Sequence, residues 1–247
     1  MKIDKIKKIF EKCGIKKGQT IFIHGDAGAI AQLENKNKDK LKYFFNFLKR
    51  FIGNKGNIIV PTFTYESCKS KKFNYKTDKS ETGLFSEIFR NLNYTKRTDH
   101  PIFSCAIYGK KFDYFNQSKI TTCFGKDSIF ERFMRINGTI ICLGCSIDRI
   151  TFTHYVEEFF KVKYRYNKNF RIFSSINKKS INTSYYVRKL NMKSKINLQK
   201  LYKYLVKKKR IKVSNFGRYK ILSIKSKLFF QSCLELLKKD KYSLIQK

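Results

Sequence analysis

The chain has 247 residues and a mass of 29.4 kDa, with 42% hydrophobic and 16% aromatic residues. That is enough apolar side chain to bury one sizeable core, and it excludes a disordered chain. Lys and Arg number 55 against 18 Asp and Glu, a net charge of +37, and such a field repels polycations and concentrates anions.

Ile3, Ile6, Ile9, Phe10 and Cys13 recur at helical spacing, and Gly14 stops that helix. The same segment carries Asp4 and Glu11 and has no apolar stretch, so it does not read as a signal peptide. Thr20-Ile21-Phe22-Ile23 predicts a strand that delivers His24. Leu41, Phe44, Phe45, Leu48, Phe51 and Ile52 predict an amphipathic helix ended by Gly53. Asn57–Val60 reads as a second strand stopped by Pro61, Leu84–Leu92 as a helix and Ile102–Tyr108 as a strand. Ser128–Ile136 reads as a helix before a strand at Thr139–Gly144.

This alternation predicts an α/β fold, with three α/β/α layers around a central mostly parallel or mixed sheet. Beyond Lys161 the pattern is less regular. Phe170–Ser175, Tyr185–Lys189 and Tyr219–Ile224 read as strands, and Leu198–Lys207 and Leu228–Leu237 as helices. No linker or repeat divides the chain. Residues 1–247 are therefore read as one domain, with an α/β core over 1–160 and a basic α+β C-terminal part over 161–247.

That C-terminal part holds 26 Lys and Arg against two acids, Glu235 and Asp240. It reads either as an attractor of polyanions or as lysine enrichment over solvated faces. No apolar run approaches the ~20 residues that span a bilayer, so no membrane partner is expected. Seven scattered cysteines, an odd number in a chain this large, read as reduced thiols in the cytoplasm.

The chain lacks Gly-x-Gly-x-x-Gly, a Walker loop, His-Glu-x-x-His and Gly-x-Ser-x-Gly. Cys142 and Cys145 form a Cys-x-x-Cys, but residues three apart on a strand face opposite ways, so no metal is expected there. The informative residues are the three histidines, His24, His100 and His154. Each adjoins an apolar run close to Gly or Pro, a setting for acid–base chemistry. His154 opens a predicted helix, with Glu157 three and Glu158 four residues on, so either acid shares its helix face. His100 precedes Pro101 and reads as structural.

Four ordered segments resemble the aminoglycoside 3-N-acetyltransferase-like acyltransferases. They are Thr20–Asp26, Gly53–Thr64, Gly83–Arg90 with Arg97–Ser104, and Phe124–Ser128 leading to Thr151–Glu157. Both prolines, Pro61 and Pro101, fall inside them. A weaker echo at Val213–Gly217 extends the likeness to nearly the full chain. One departure is Gly25-Asp26, where the family often has Ser-Ser. The His154-Tyr155-Val156-Glu157 wording resembles the branch that acylates amino sugars for surface polysaccharides.

The resemblance implies transfer of an acyl group from acetyl-CoA or another acyl-CoA to a primary amine of an amino sugar, without a metal. His154 would be the general base, with Glu157 orienting it and His24 as a second catalytic candidate. Gly25, Asp26, Phe63, Thr64, Arg97, Ser104 and Thr151 would contact the coenzyme. Gly25 would let backbone N–H groups approach the thioester, the Ser104 and Thr151 hydroxyls would meet acyl or pantetheine oxygens, and Arg97 would pair with a phosphate. The positive field favours a nucleotide-linked amino sugar as acceptor, with an aminoglycoside antibiotic as the alternative. A nucleic-acid-binding module would explain Lys207-Lys208-Lys209-Arg210 but neither His24 nor His154, so nucleic acid is disfavoured as a partner. Oligomeric state stays open, a homodimer included.

Overall fold

The computed structural model of the chain describes residues 1–34 and 39–246. Helix α1 (Ile3–Lys12) leads to strand β1 (Thr20–Gly25), helices α2 (Ala27–Ala31) and α3 (Lys40–Ile52), and strand β2 (Asn57–Pro61). Next come α4 (Ser67–Ser70), β3 (Lys72–Phe73), α5 (Leu84–Arg90), β4 (Lys96–Arg97), β5 (Cys105–Tyr108) and α6 (Phe112–Asn116). Helix α7 (Ile129–Arg135) and strand β6 (Thr139–Leu143) precede α8 (Phe152–Phe160). The chain then forms β7 (Arg165–Ser174), β8 (Lys179–Arg188), α9 (Gln199–Lys207), β9 (Lys212–Phe216), β10 (Tyr219–Lys225) and α10 (Ser226–Lys239). Among the described residues no helix is long and apolar enough to cross a membrane.

The main sheet has seven strands in the order β4-β5-β2-β1-β6-β10-β9. Its centre is parallel, Ile21 of β1 pairing with Ile58 of β2 and Thr139 of β6. Alternate residues there point to opposite faces. Ile21 and Ile23 join Phe10, Phe44, Phe85 and Phe89 from α1, α3 and α5. Phe22 points the other way, to Phe130, Phe152 and Phe229 from α7, α8 and α10. Two cores thus sandwich one sheet, and the layers are the α/β/α layers expected.

The parallel part is smaller than a mostly parallel sheet implies. β5 runs antiparallel to β2, and β10 antiparallel to β6. Beyond β10, the outermost strand β9 is also antiparallel to its neighbour, because the two are joined by a two-residue turn at Gly217, φ 61°, and such a hairpin can only join antiparallel strands. Strands of the basic C-terminal segment therefore complete one edge of the main sheet. Pro61 does not stop β2 short but ends it, paired with Cys105, where a missing N–H is tolerated.

A second sheet, β3-β7-β8, contributes Phe73, Ile172 and Tyr186 to the core shared with α7, α8 and α10. Its hairpin pairs ten residues a side, from Arg165↔Arg188 to Ser174↔Lys179. Only Phe170–Ser175 and Tyr185–Lys189 of it are legible in sequence, because most outward positions on β7 are polar and exposed.

Candidate active site

The three parallel strands end together, and open α/β sheets hold ligands at such carboxyl ends. β1 delivers His24, Gly25 and Asp26, β2 leads into Phe63, and β6 runs into Gly144 and Cys145. His24, Gly25, Asp26, Phe63 and Cys145 line a cavity of about 510 Å³, closed by Tyr65, Arg149 and Thr151. A second cavity of about 830 Å³ shares the Tyr65 and Arg149 walls and contains His154.

His154 lies in the first turn of α8, its backbone N–H donating to the Thr151 carbonyl at 2.9 Å. Its Nδ1 lies 2.6 Å from Glu157 Oε2; the histidine side chain is 21% exposed and the glutamate 0%. Arg165 Nε lies 2.7 Å from the same oxygen. Burial pushes the Glu157 carboxyl up, but the His154 contact and the Arg165 charge outweigh it, and the group stays below its ordinary range. An ionised carboxylate only accepts hydrogen bonds, so Nδ1 carries the proton and Nε2 keeps a free lone pair. Burial and the Arg165 charge pull the His154 pKa down, and together they exceed the upward pull of Glu157. The arrangement is a neutral imidazole, oriented by a carboxylate, in the wall of an open cavity.

Glu158 is not the partner. Burial pushes it up to about 7, and its Oε1 lies against the backbone at Gly125.

His24 is buried and stacked on Phe22, ring centroids 5.2 Å apart. Its Nε2 is enclosed without a hydrogen-bond partner, and burial drops its pKa to about 3. It is a neutral ring with no carboxylate to orient it. Gly25 lines the cavity, but the space a Cβ would take is filled by the Phe85 ring, 2.5 Å away. The missing side chain thus makes room for the Phe85 ring. Asp26 caps α2, its Oδ1 accepting from the Gly28 N–H at 2.7 Å, and it also lines the cavity. Phe63 lies in the same wall, edge-on to Phe103 at 4.8 Å. Thr151 precedes α8 without a side-chain capping bond and lines the same cavity.

Three expected coenzyme contacts lie elsewhere. Arg97 uses all five N–H donors inside the fold. Nε donates to Ser104 Oγ at 2.9 Å, Nη1 to the carbonyls of Tyr75 and Asp78, and Nη2 to the Thr62 carbonyl and Thr64 Oγ1. No donor remains for a phosphate. Ser104 is wholly buried and donates to the Thr62 carbonyl at 2.8 Å. Thr64 is buried as the Arg97 acceptor. The cause is common to all three: the pairing of β4, β5 and β2 turns these side chains inward, where they tie the loops together.

His100 is structural, as its sequence context suggested. Its Nδ1 accepts from the Ile102 and Phe103 N–H groups, and Nε2 faces the Thr122 carbonyl at 3.1 Å. The strand argument that separated the two thiols fails at Gly144, where the chain turns with φ 77°. Cys145 leaves the strand, donates to the His24 carbonyl at 3.3 Å and comes beside the Cys142 thiol. Among the described residues no three His, Cys, Asp or Glu side chains form a metal-ligating group.

Arg165, Arg149 and Tyr65 escaped the sequence reading. Arg165 has no motif of its own. The available signal was a basic residue just beyond the helix that carries the His–Glu pair.

The fold and site define an α/β protein with a buried His–Glu pair at a cavity beside its parallel strand ends. The chain belongs to the aminoglycoside 3-N-acetyltransferase family, whose model matches residues 22–238. It is 21% identical over 175 residues to the SPbeta prophage-derived aminoglycoside N(3')-acetyltransferase-like protein YokD of Bacillus subtilis (strain 168), an alignment spanning 62% of each protein. The apoenzyme of aminoglycoside acetyltransferase AAC(3)-IVa matches with TM-score 0.82 and 18% identity, over 100% of this chain and 92% of that one. AAC-IIIb in binary complex with CoASH matches with TM-score 0.81 and 14% identity, over 97% of both chains. Sisomicin-bound AAC-VIa gives 0.79 and 15%, over 97% of this chain and 98% of that one. At these identities the structural matches establish the shared fold.

Proposed function

We propose that the protein transfers an acetyl group from acetyl-CoA to a primary amine of an aminoglycoside-type amino sugar. The observation that carries this reading is the buried Glu157 holding Nδ1 of a neutral His154, whose ring lines the larger cavity. The amine reaches the protein as an ammonium, which has no lone pair. After the ammonium loses one proton to water, the amine nitrogen attacks the thioester carbonyl, His154 Nε2 takes up the second nitrogen proton, and the C–S bond breaks. The coenzyme leaves as a thiolate and takes up the proton that the imidazolium holds. His154 thus returns to its starting state.

In this reading the amine lies in the cavity that His154 lines, and the thioester lies in the smaller cavity beside Asp26, Phe63 and Thr151. Tyr65 and Arg149 line both cavities, and Thr151 lines the smaller one, about one helical turn before His154. His24 shapes the donor wall, since its Nε2 is enclosed. The free cysteines and an acyl-CoA co-substrate suit a reducing, cytoplasmic compartment. The names of the relatives support an aminoglycoside acceptor, and none of them supports the nucleotide-linked sugar expected from the field.

One observation favours that second acceptor. The His154 cavity is lined by Arg149, Lys168, Arg188 and Lys195, and by no Asp or Glu. Such a wall disfavours a polycation and favours a phosphate-bearing amino sugar. Thiol release from acetyl-CoA should be measured with sisomicin and with nucleotide-linked amino sugars, followed by mass spectrometry of the products. Higher kcat/KM on sisomicin supports the first acceptor, and the reverse order replaces it with the second. No thiol release with any amine would sink the acetyl-transfer reading.

A further inference from the structure

Glu157 has 0% side-chain exposure, and a carboxylate in such a place ordinarily takes up a proton. Here two groups converge on one oxygen, Oε2: His154 Nδ1 at 2.6 Å and Arg165 Nε at 2.7 Å. The Arg165 Nε–H is not aimed along the oxygen, so that contact is charge against charge rather than an aligned hydrogen bond. Local backbone geometry brings the arginine back. α8 closes at Lys161 in the left-handed region, φ 54°, and the Val162 N–H donates to the Glu157 carbonyl. The chain then reverses into β7, whose first residue is Arg165. From across the hairpin, the Tyr186 carbonyl accepts from Arg165 Nη1 at 3.2 Å. The guanidinium is thus held by two elements.

We propose that Arg165 is a positioning residue that neutralises Glu157, so that the carboxylate orients His154 without keeping its ring protonated. The inference rests on His154 as the base. A base must hold a lone pair at working pH, and a lone buried carboxylate beside an imidazole would stabilise the imidazolium. With Arg165 present the local pair sums to zero charge. The direction of the His154 shift agrees, since the pull of Arg165 and of burial exceeds that of Glu157. The other groups facing this cluster are Tyr164 from before β7, Tyr186 from β8 and Cys233 from α10, and their hydroxyl and thiol groups are all raised, chiefly by burial. They carry no charge at neutral pH. Arg149 lines the same cavity, and Glu158 follows on α8, pushed up to about 7.

The test follows the His154 ring by NMR across pH in the full chain, in wild type, Arg165→Met and Arg165→Lys. The resonance is assigned with His154→Gln. The ring midpoint should rise by about one to three pH units in Arg165→Met and stay near wild type in Arg165→Lys. The rising limb of kcat against pH should move with it, and kcat well above the new midpoint should recover to within a few-fold of wild type. If Arg165→Met does not fold, Arg165→Gln carries the same comparison. An unchanged or lowered midpoint in the neutral variant overturns the proposal, as does a lysine variant displaced as far as the methionine one. The ring titration needs no substrate. A protein inactive on every amine would therefore sink the catalytic reading and leave the role of Arg165 to be decided by the midpoints.

Discussion

The pairing of His154 with Glu157 separates two effects that substitutions should resolve. His154→Ala should lower kcat by roughly 10²–10⁴, the usual share of a general base. It should leave the acetyl-CoA Kd within a few-fold, because the ring faces the cavity assigned to the amine. Steady-state thiol release and calorimetry would measure both, and near-wild-type kcat on the true acceptor would remove the base role from His154. Glu157→Gln leaves Arg165 charged and unpaired among buried groups, and breaking a buried pair from one side costs about 3–5 kcal/mol. Its main loss should therefore appear in denaturant unfolding, with a smaller loss in rate than His154→Ala. A carboxylate partner for His154 was legible in sequence because positions three and four apart share a helix face, and the structure selects Glu157 over Glu158. Arg165 was not, because its approach depends on the left-handed turn at Lys161, a conformation that no sequence motif announces.

At the scale of elements, Arg97 shows how a residue with the right chemistry can serve the fold instead. Its five donors join the start of β5, the end of β2 and the loop before α5. Arg97→Met would remove five hydrogen bonds that hold these loops together, a loss of about 3 kcal/mol of stability. The salt dependence of the acetyl-CoA KM should stay as in wild type. A stable Arg97→Lys protein with weakened, salt-sensitive coenzyme binding would restore the phosphate role. β1, β2 and β6 were legible because they are covered on both faces and so read as unbroken apolar runs. β7 and β8 are covered on one face only. On β7 the inward set Phe170, Ile172, Ser174 is cut short by exposed Lys168, and the outward set carries exposed Phe173, so only a fragment of the strand shows the alternation.

For the whole molecule, the buried titratable groups set a pH dependence distinct from that of catalysis. His24 and His100 stay neutral in the folded chain down to about 3 and about 4, because burial disfavours the charged ring. Unfolded, each takes up a proton near ~6.5. Below that pH the unfolded chain binds more protons, so the stability these rings contribute is complete above about 6.5 and is lost as pH falls towards their folded values. His154 is also lowered and acts in the same direction. Glu158, raised to about 7, acts the opposite way, since its folded form holds a proton that the unfolded chain releases above ~4.5, and it offsets about one histidine. His24 and His100 together outweigh Glu158 by about one proton, so unfolding free energy should fall by about 1.4 kcal/mol per pH unit between pH 6.5 and 4.5, with His154 adding to that slope. The net charge of +37 steepens this, because each added proton enlarges an existing self-repulsion. Urea unfolding at several pH values across that window measures the slope, and Glu158→Gln, by removing the counterweight, should make it steeper. A flat profile between pH 7 and 5 in wild type would mean that His24 and His100 gain access to water in the folded chain, and with it would go the assignment of both as neutral, enclosed rings.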